Sequence, residues 1–221
     1  KYSGADLDYF NPLFGDFNNA NVMAAVKVAE AEGLSRGQIE HALKTFPGVP
    51  GRLELVQREP FAIVVDYAHT PDALRKVYGL LKNQIPGTRN PSPRLICVLG
   101  AAGGGRDKWK RPEFGKIAAE CCYEIILTNE DPYDENPLEI LNQISEGFSQ
   151  IQNSKFKIRN HKKIIDRSEA IRAALKSAKD GDTVIITGKG AEPWIMGPRG
   201  SKIPWDDREV VRKELAKLNN Q

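Results

Sequence analysis

The chain has 221 residues, of which 40% are hydrophobic and 28% charged, and its formal net charge is +3. This balance is typical of a globular protein with a buried core, and it is too weakly basic to indicate a nucleic-acid-binding protein. No apolar run approaches the roughly 20 residues that a transmembrane helix needs. The polar residues 1–6 do not resemble a signal peptide. We therefore expect a cytoplasmic protein without nucleic-acid partners or membrane insertion and, because the first residue is lysine, a piece of a longer chain.

The N-terminal part of the sequence predicts two helices. Apolar side chains recur at helical spacing over residues 21–32, and Gly33 is placed to end this helix. Ser35 is placed to cap a second helix, which ends before Pro47. Two prolines and two glycines follow within residues 46–51. Such a cluster marks a boundary, and we place it between residues 48 and 49.

Beyond this boundary, apolar strands alternate with helices. The predicted strands are residues 61–65, 95–99, 124–128, 156–159 and 183–187, and the predicted helices are residues 71–85, 112–121, 137–151, 168–178 and 207–218. Strands that are apolar along their whole length are typical of a sheet covered on both faces. The alternation therefore predicts a Rossmann-like, doubly wound, mostly parallel α/β sheet, which binds ligands beyond the carboxyl ends of its strands.

Cysteine and histidine spacing gives no sign of a metal site. Cys121 and Cys122 are adjacent, Cys97 lies in an apolar run, and no histidine stands near them at the spacing of metal ligands. We expect reduced, buried thiols and no metal bound by this chain.

Polar or glycine-rich segments follow four of the predicted strands. They are residues 66–70, a glycine-rich turn at 100–105 followed by Arg106, an acidic stretch at 129–137, and residues 188–194. Each segment alone is explained about as well by a capped turn or an open loop without a ligand as by a ligand-binding role. Because all four fall at the same edge of the predicted sheet, together they predict a ligand site.

Two of these segments indicate what the ligand carries. A glycine-rich turn next to Arg106 is suited to a carboxylate or phosphate, although Arg106 and Asp107 stand where a P-loop has Lys and Ser or Thr. Four acids lie within residues 130–135. They repel one another unless they are solvated or face a cation, and an ammonium group of a substrate is one such cation.

Seven stretches resemble, in order, motifs of the Mur ligase family, in its UDP-N-acetylmuramoyl-tripeptide synthetase branch. They are GDFNNANVMAA (15–25), GVPGRLELV (48–56), VDYAHTPDAL (65–74), GRDKWKRP (105–112), TNEDPYDENP (128–137), GKGAE (188–192) and DDREVV (206–211). The resemblance implies that residues 1–48 are the end of the central ATP-binding domain. It implies that residues 49–221 are the Mur ligase C-terminal domain, which binds the amino acid.

The resemblance also implies a reaction. Enzymes of this family use ATP and Mg²⁺ to phosphorylate the free carboxylate of a UDP-muramyl-peptide, and the amine of an amino acid then attacks the acyl phosphate. The implied function is an ADP-forming ligase of peptidoglycan synthesis, and we expect a monomer. Because no G-x-x-x-x-G-K-[S/T] occurs here, we expect the P-loop and the Mg²⁺ ligands in an upstream part, and no activity of residues 1–221 alone. A folylpolyglutamate or cyanophycin synthetase and a non-catalytic nucleotide- or amino-acid-binding module remain the alternatives.

Residue by residue, the resemblance implies two sites. The ATP site comprises Asn18, Asn21, Arg52, Asp66 and His69, and the amino-acid site comprises Arg106, Glu130, Asp131, Tyr133, Gly188 and Glu192. Members that add diaminopimelate carry D-N-P-R where this chain has residues 130–133, so Tyr133 replaces the arginine that pairs with a second carboxylate. Ala191 stands where the family has histidine. The acidic surroundings favour an ammonium end, and we expect L-lysine or another diamino acid to be added to UDP-N-acetylmuramoyl-L-alanyl-D-glutamate.

Overall fold

The computed structural model describes residues 9–83, 94–149 and 160–219, and the chain divides into two compact units, Lys1–Val49 and Pro50–Gln221. In the first unit, a 3-10 turn (Asp16–Asn18) leads into α1 (Asn19–Ala31), and α2 (Arg36–Thr45) follows. The two helices bury Val22, Val26 and Ile39 against each other. Ser35 caps α2 as predicted, because it exchanges hydrogen bonds with Gln38 in a capping box.

The second unit contains the sheet. Its elements are β1 (Glu54–Gln57), β2 (Ala62–Asp66), α3 (Pro71–Asn83), β3 (Leu95–Leu99), α4 (Lys110–Cys121), β4 (Glu124–Leu127), α5 (Pro137–Ser149), β5 (Asn160–Lys163), α6 (Arg167–Ser177), β6 (Thr183–Thr187), β7 (Trp194–Met196), β8 (Lys202–Pro204) and α7 (Asp207–Asn219). Among the described residues, six strands form one sheet in the order β1-β2-β6-β3-β4-β5. β1 pairs antiparallel with β2 and the other pairs are parallel, while β7 and β8 form a separate antiparallel pair. The prediction of a mostly parallel α/β sheet is confirmed.

The short strands are what the sequence pattern did not predict. β1 is half-buried over its four residues, and the three residues of β8 are all exposed. Neither strand has the continuous apolar run by which the buried strands were recognised. The strand predicted at residues 156–159 lies outside the described part of the chain, and β5 begins at Asn160.

Helices cover both faces of the sheet. On one face, strand side chains such as Ile96 and Ile186 pack against Ile171 of α6 and Val211 of α7. On the other face, Tyr78 of α3 is hydrogen-bonded to Thr187 Oγ1 at 3.0 Å, and α4 packs between α3 and α5. In the described part of the chain, no helix combines the length and the apolar character needed to cross a membrane.

One prediction about the cysteines was wrong. Cys97 of β3 and Cys122, directly after α4, form a disulfide with their Cα atoms 6.2 Å apart, and Cys121 keeps a free thiol. Their separation of 25 residues carries no recognisable spacing signal. The pair meets because α4 packs on the face of the sheet towards which Cys97 points.

A buried arginine joins the carboxyl ends of two strands to two helices. Arg167, the first residue of α6, donates to both carboxylate oxygens of Asp207 at the start of α7, at 2.8 and 2.7 Å. It also donates to the carbonyl oxygens of Asn129, after β4, at 3.1 Å and Thr187, at the end of β6, at 2.8 Å. Both charged side chains are at most 1% exposed. We call Arg167 and Asp207 the buried clasp.

Breaking the buried clasp is expected to destabilise the fold strongly. Asp207→Ala leaves the Arg167 charge buried without its carboxylate, and the free energy of unfolding should fall by about 3–5 kcal/mol. The control is Lys76→Ala, which removes an exposed pair with Asp72 at 2.8 Å and should cost less than about 1 kcal/mol. Urea denaturation followed by circular dichroism measures both changes. Equal, small losses for the two variants would contradict the structural role of the clasp.

Candidate functional site

A cavity of about 480 Å³ lies beyond the carboxyl ends of the parallel strands. Its wall comes from the segments that follow β2, β3, β4 and β6, as the pattern of polar strand ends predicted. The structure brings seven predicted site residues together there, namely His69, Arg106, Glu130, Asp131, Tyr133, Gly188 and Glu192. His69, which was assigned to ATP, thus shares a cavity with all the residues assigned to the amino acid.

Lys189 is a site residue that the sequence reasoning missed. Its side chain is 1% exposed, and its Nζ donates to both carboxylate oxygens of Asp131 at 2.9 Å and to Glu192 Oε2 at 2.6 Å. A buried ammonium needs such partners, because an unpaired charge in the interior is costly. The position of Lys189 in the GKGAE motif could have indicated a role in the site, but the prediction used only Gly188 and Glu192 of that motif.

Glu192 is held from its other side by Tyr67. The Tyr67 hydroxyl donates to Glu192 Oε1 at 2.5 Å, and this hydrogen bond raises the pKa of Tyr67 to about 12. Burial alone would raise the pKa of Glu192, but the hydrogen bonds from Lys189 and Tyr67 outweigh it and hold the pKa below its ordinary value. Both oxygens of Glu192 are therefore occupied by protein donors.

The acidic stretch after β4 is fixed by contacts to other elements. Glu135 accepts two hydrogen bonds from the buried Arg111 at 3.0 and 3.2 Å, which lower the pKa of Glu135 to about 2. Arg111 also donates to the carbonyl oxygen of Ala102 at 2.9 Å, and so ties the acidic stretch to the glycine-rich turn. Asp134 accepts from the backbone N–H of Arg199 at 2.8 Å.

Glu130 differs from its acidic neighbours. Its side chain is 6% exposed, and its Oε2 is buried with no hydrogen-bond partner in the described residues. Burial raises the pKa of Glu130 to about 7, although the nearby Arg167 acts to lower it. Gly188 makes room for this carboxyl group, since a Cβ there would collide with Glu130 Oε2 and its φ of +109° is unfavourable for other residues.

Tyr133 is placed on the wall of the cavity by its backbone. Its φ is +51°, and its N–H donates to the carbonyl oxygen of Met196 in β7 at 3.1 Å. The ring lies against Gly104, whose hypothetical Cβ would be only 2.6 Å from Tyr133 Cδ2. The glycine-rich turn therefore accommodates the aromatic ring of Tyr133 on the cavity wall.

Two cations of the cavity wall are less buried than Lys189. Arg106 is exposed and Lys110 is half-buried, and both contribute to the wall. Within the described ranges, neither side chain has a salt bridge of 4.0 Å or less to a carboxylate. An anionic group of a ligand would supply the missing partner.

Two residues of the second unit that were assigned to ATP, Arg52 and Asp66, do not line the cavity. Asp66 accepts the backbone N–H groups of Leu53 and Ala68, each at 2.7 Å, and burial raises its pKa. The guanidinium of Arg52 stacks on the ring of Tyr67 at 4.3 Å. In the first unit, Asn21 donates to Asn18 Oδ1 at 2.9 Å, so these two assigned residues contact each other.

Known proteins with a similar sequence identify the family of this chain. The family model "Mur ligase, glutamate ligase domain" matches residues 51–190. Two proteins named UDP-N-acetylmuramoyl-L-alanyl-D-glutamate–2,6-diaminopimelate ligase, from Thermosynechococcus vestitus and Gloeobacter violaceus, are 42% and 43% identical over 93% and 96% of this chain. The matches cover 39% and 41% of those proteins, so the chain spans about two fifths of their length.

Solved structures share the fold. A structure with the same ligase name superposes with a TM-score of 0.66 at 32% identity, over 96% of this chain and 41% of that chain. A Mycobacterium tuberculosis folylpolyglutamate synthase superposes with a TM-score of 0.63 at 19% identity, over 82% of this chain and 39% of that one. At that identity, the second likeness concerns the fold alone.

Fold and cavity define an α/β domain with a polar cavity beyond the carboxyl ends of its parallel strands. The match over more than half of the sequence shows which one: the chain belongs to the Mur ligase family, through its glutamate ligase domain. The resemblance found in the motifs is thus confirmed.

Glu130 is expected to destabilise the folded protein at neutral pH. Its pKa is about 7 when folded and near 4.5 when unfolded. The folded state therefore holds an extra proton between these pH values, and stability falls as the pH rises through this window. Glu130→Gln should raise the free energy of unfolding by about 1–3 kcal/mol at pH 8 and change it little at pH 4.5.

Urea denaturation between pH 4.5 and 8 measures this difference. The matched control is Glu139→Gln, which changes an exposed carboxylate on α5 and should show no such pH dependence. If the difference in the free energy of unfolding between Glu130→Gln and the parent protein did not change with pH, folding would not raise the pKa of Glu130.

Proposed function

We propose that this chain is the amino-acid-binding part of an ATP-dependent, ADP-forming ligase that adds an amino acid to UDP-N-acetylmuramoyl-L-alanyl-D-glutamate. The observation that carries the proposal is the convergence of the motif segments on one cavity, in a chain about 40% identical to ligases named for such a reaction. Cytoplasmic location and a monomeric state belong to the same proposal.

The charges of the cavity suit a zwitterionic amino acid. Arg106 and Lys110 offer cations that are less buried than Lys189, and Glu130 offers a buried carboxyl group. A ligand with both a carboxylate and an ammonium can satisfy both ends. Tight placement of the amine contributes to rate by holding it close to the carbon that it attacks.

ATP supplies a phosphoryl group that turns a carboxylate, a poor electrophile, into an acyl phosphate with a good leaving group. Within this chain, we assign its binding to Asn18, Asn21, Arg52, Asp66 and His69. Asp66 fits a role in positioning, because its carboxylate holds the backbone of the segment that carries Arg52. The described residues contain no group of three or more His, Cys, Asp or Glu side chains that could hold a metal ion.

For the amino acid, we propose L-lysine or another diamino acid in preference to diaminopimelate. The relatives are named for diaminopimelate, whose second carboxylate needs a cation. Tyr133 presents an uncharged ring at the position that the family motif gives to arginine. The acidic surroundings favour a ligand that ends in an ammonium group.

The gene product that contains these 221 residues is expected to release phosphate from ATP in the presence of UDP-N-acetylmuramoyl-L-alanyl-D-glutamate and L-lysine. Product formation, followed by mass spectrometry, should favour lysine when lysine and diaminopimelate compete at equal concentration. Omission of the UDP-linked substrate is the control. Product containing mainly diaminopimelate would refute the lysine preference, and no product with any amino acid would refute the ligase proposal.

Tyr133→Arg is expected to move the preference towards diaminopimelate. A guanidinium there would pair with the second carboxylate, and the ratio of kcat/KM for diaminopimelate to that for lysine should rise about 10- to 100-fold. Tyr133→Phe is the matched control, because it keeps the ring against Gly104 and adds no charge. An unchanged ratio in the arginine variant would mean that residue 133 does not contact the side chain of the amino acid.

A further inference from the structure

A disulfide closes a covalent ring around the segment that runs from β3 to the end of α4. Cys97 lies in the middle of β3, and Cys122 follows the last residue of α4. Their Cα atoms are 6.2 Å apart, a separation that suits a disulfide. The ring spans a sequence separation of 25 residues and contains the glycine-rich turn and the whole of α4.

This ring carries part of the wall of the cavity. The cavity-lining residues between the two cysteines are Ala102, Arg106, Asp107, Lys110 and Phe114. They follow or include a turn in which Gly104 and Gly105 have φ values of +63° and +77°, and glycine leaves the backbone many alternative conformations. A covalent bond that holds the two ends of such a segment together reduces the number of conformations open to it. The disulfide therefore limits where the cations of the wall can lie.

Non-covalent contacts hold α4 in place in addition to the disulfide. Phe114 and Ile117 of α4 are buried. Near the C-terminal end of the helix, Glu120 pairs with Arg75 of α3 at 3.2 Å, and its carbonyl oxygen accepts from Lys82 of α3 at 3.1 Å. Reduction of the disulfide should therefore leave the fold intact and change only how firmly α4 is held on β3.

The two sulfur atoms differ in access. The side chain of Cys97 is 0% exposed, whereas Cys122 is half-buried. A disulfide is reduced when a thiolate attacks one of its sulfur atoms, and here only the sulfur of Cys122 is within reach of solvent. The neighbouring Cys121 has a free thiol. Burial raises the pKa of Cys121 although Lys82 and Arg75 act to lower it, so this thiol stays protonated and is a poor nucleophile. The attacking thiolate therefore comes from outside the chain.

We propose that Cys97 and Cys122 are a redox-sensitive pair through which a dithiol reductant sets the affinity of the cavity for its amino acid. The inference rests on the proposed function, both for the ligand and for the cytoplasm, where disulfides are usually transient, catalytic or redox-sensing. The form with the disulfide is the form of higher affinity, because it holds the cavity wall in one arrangement and so lowers the entropic cost of binding.

The exchange proceeds in two steps. A thiolate of the reductant attacks Sγ of Cys122, the bond between the two protein sulfur atoms breaks, and Cys97 leaves with the electron pair and takes up a proton. The second thiolate of the reductant then displaces Cys122 from the mixed disulfide, and Cys122 takes up a proton. The protein disulfide is reduced to two thiols and the dithiol is oxidised to a disulfide. The reverse reaction, with the oxidised reductant, restores the bond.

The gene product that contains these residues is the material for the test. It is equilibrated with reduced or oxidised dithiothreitol and freed of the reagent, and its thiols are alkylated after unfolding in acid and mapped by mass spectrometry. Parallel samples are titrated with L-lysine and with diaminopimelate in a calorimeter. The variants are Cys122→Ser and Cys97→Ala, each of which removes one sulfur atom of the pair, and the matched control Cys121→Ser, which removes the neighbouring thiol.

In the oxidised parent protein, Cys97 and Cys122 should escape alkylation together while Cys121 is alkylated, and in the reduced protein all three should react. Reduction should weaken the binding of the amino acid about fivefold or more. Cys122→Ser and Cys97→Ala should bind like the reduced parent protein under both conditions. Cys121→Ser should keep the full difference between the oxidised and the reduced state, which separates the pair from a general effect of thiol chemistry.

Failure of the inference and failure of the proposed function give different results. If Cys97 and Cys122 stay reactive after oxidation, or if they pair but the affinity for the amino acid is the same in both states, the inference is wrong while binding and ligation leave the proposed function standing. If the parent protein neither binds nor ligates an amino acid in either state, the proposed function is wrong and the inference falls with it.

Discussion

The bidentate pair between Arg167 and Asp207 is the interaction on which the geometry of the cavity depends. The pair lies at the carboxyl ends of β4 and β6. Arg167 also donates to the carbonyl oxygens of Asn129 and Thr187, where two of the segments that form the cavity wall begin. Glu130 directly follows Asn129, and Lys189 is two residues beyond Thr187. A buried ion pair of this kind adds little net stability compared with a well-packed apolar pair, but it fixes the positions of the chain segments around it. An apolar side chain could fill the same space, but it could not donate hydrogen bonds to the two carbonyl oxygens.

Around this clasp, two buried cations pair with acids of the cavity wall and of the acidic stretch. Lys189 serves Asp131 and Glu192, and Arg111 serves Glu135. Two of these pairs, Lys189 with Asp131 and Arg111 with Glu135, also join segments that are separate in the sequence into one wall. A rigid wall holds a ligand at lower entropic cost than mobile side chains would. Against this background, an acid left without a cation conflicts with the principle that buried charges are paired. Such local conflicts with stability are characteristic of functional sites.

The sheet was predictable because its central strands are buried on both faces, so that runs such as residues 95–99 stand out as uniformly apolar segments between polar ones. The position of the site followed from the topology, since polar residues after parallel strands must meet at one edge. What the sequence could not supply was the pairing of charges. Lys189 looks like an ordinary lysine in a glycine-rich loop, and its burial follows from the approach of the segment after β4. The Cys97–Cys122 disulfide escaped for the same reason, because only the packing of α4 on β3 brings the two sulfur atoms together.

The pairing of charges also changes how the motif residues should be interpreted. From the sequence, Glu192 and Asp131 are acids in a predicted binding site, and each is equally suited to hold an ammonium group. In the folded chain, Lys189 donates to both, so they support the wall of the cavity. Under the proposed function, the specificity of the cavity is assigned to two positions, Glu130 and Tyr133. Under that proposal, a buried carboxyl group without a cation and an aromatic ring without a charge together favour a side chain that ends in a single positive group, because position 133 offers no cation to pair with a second carboxylate.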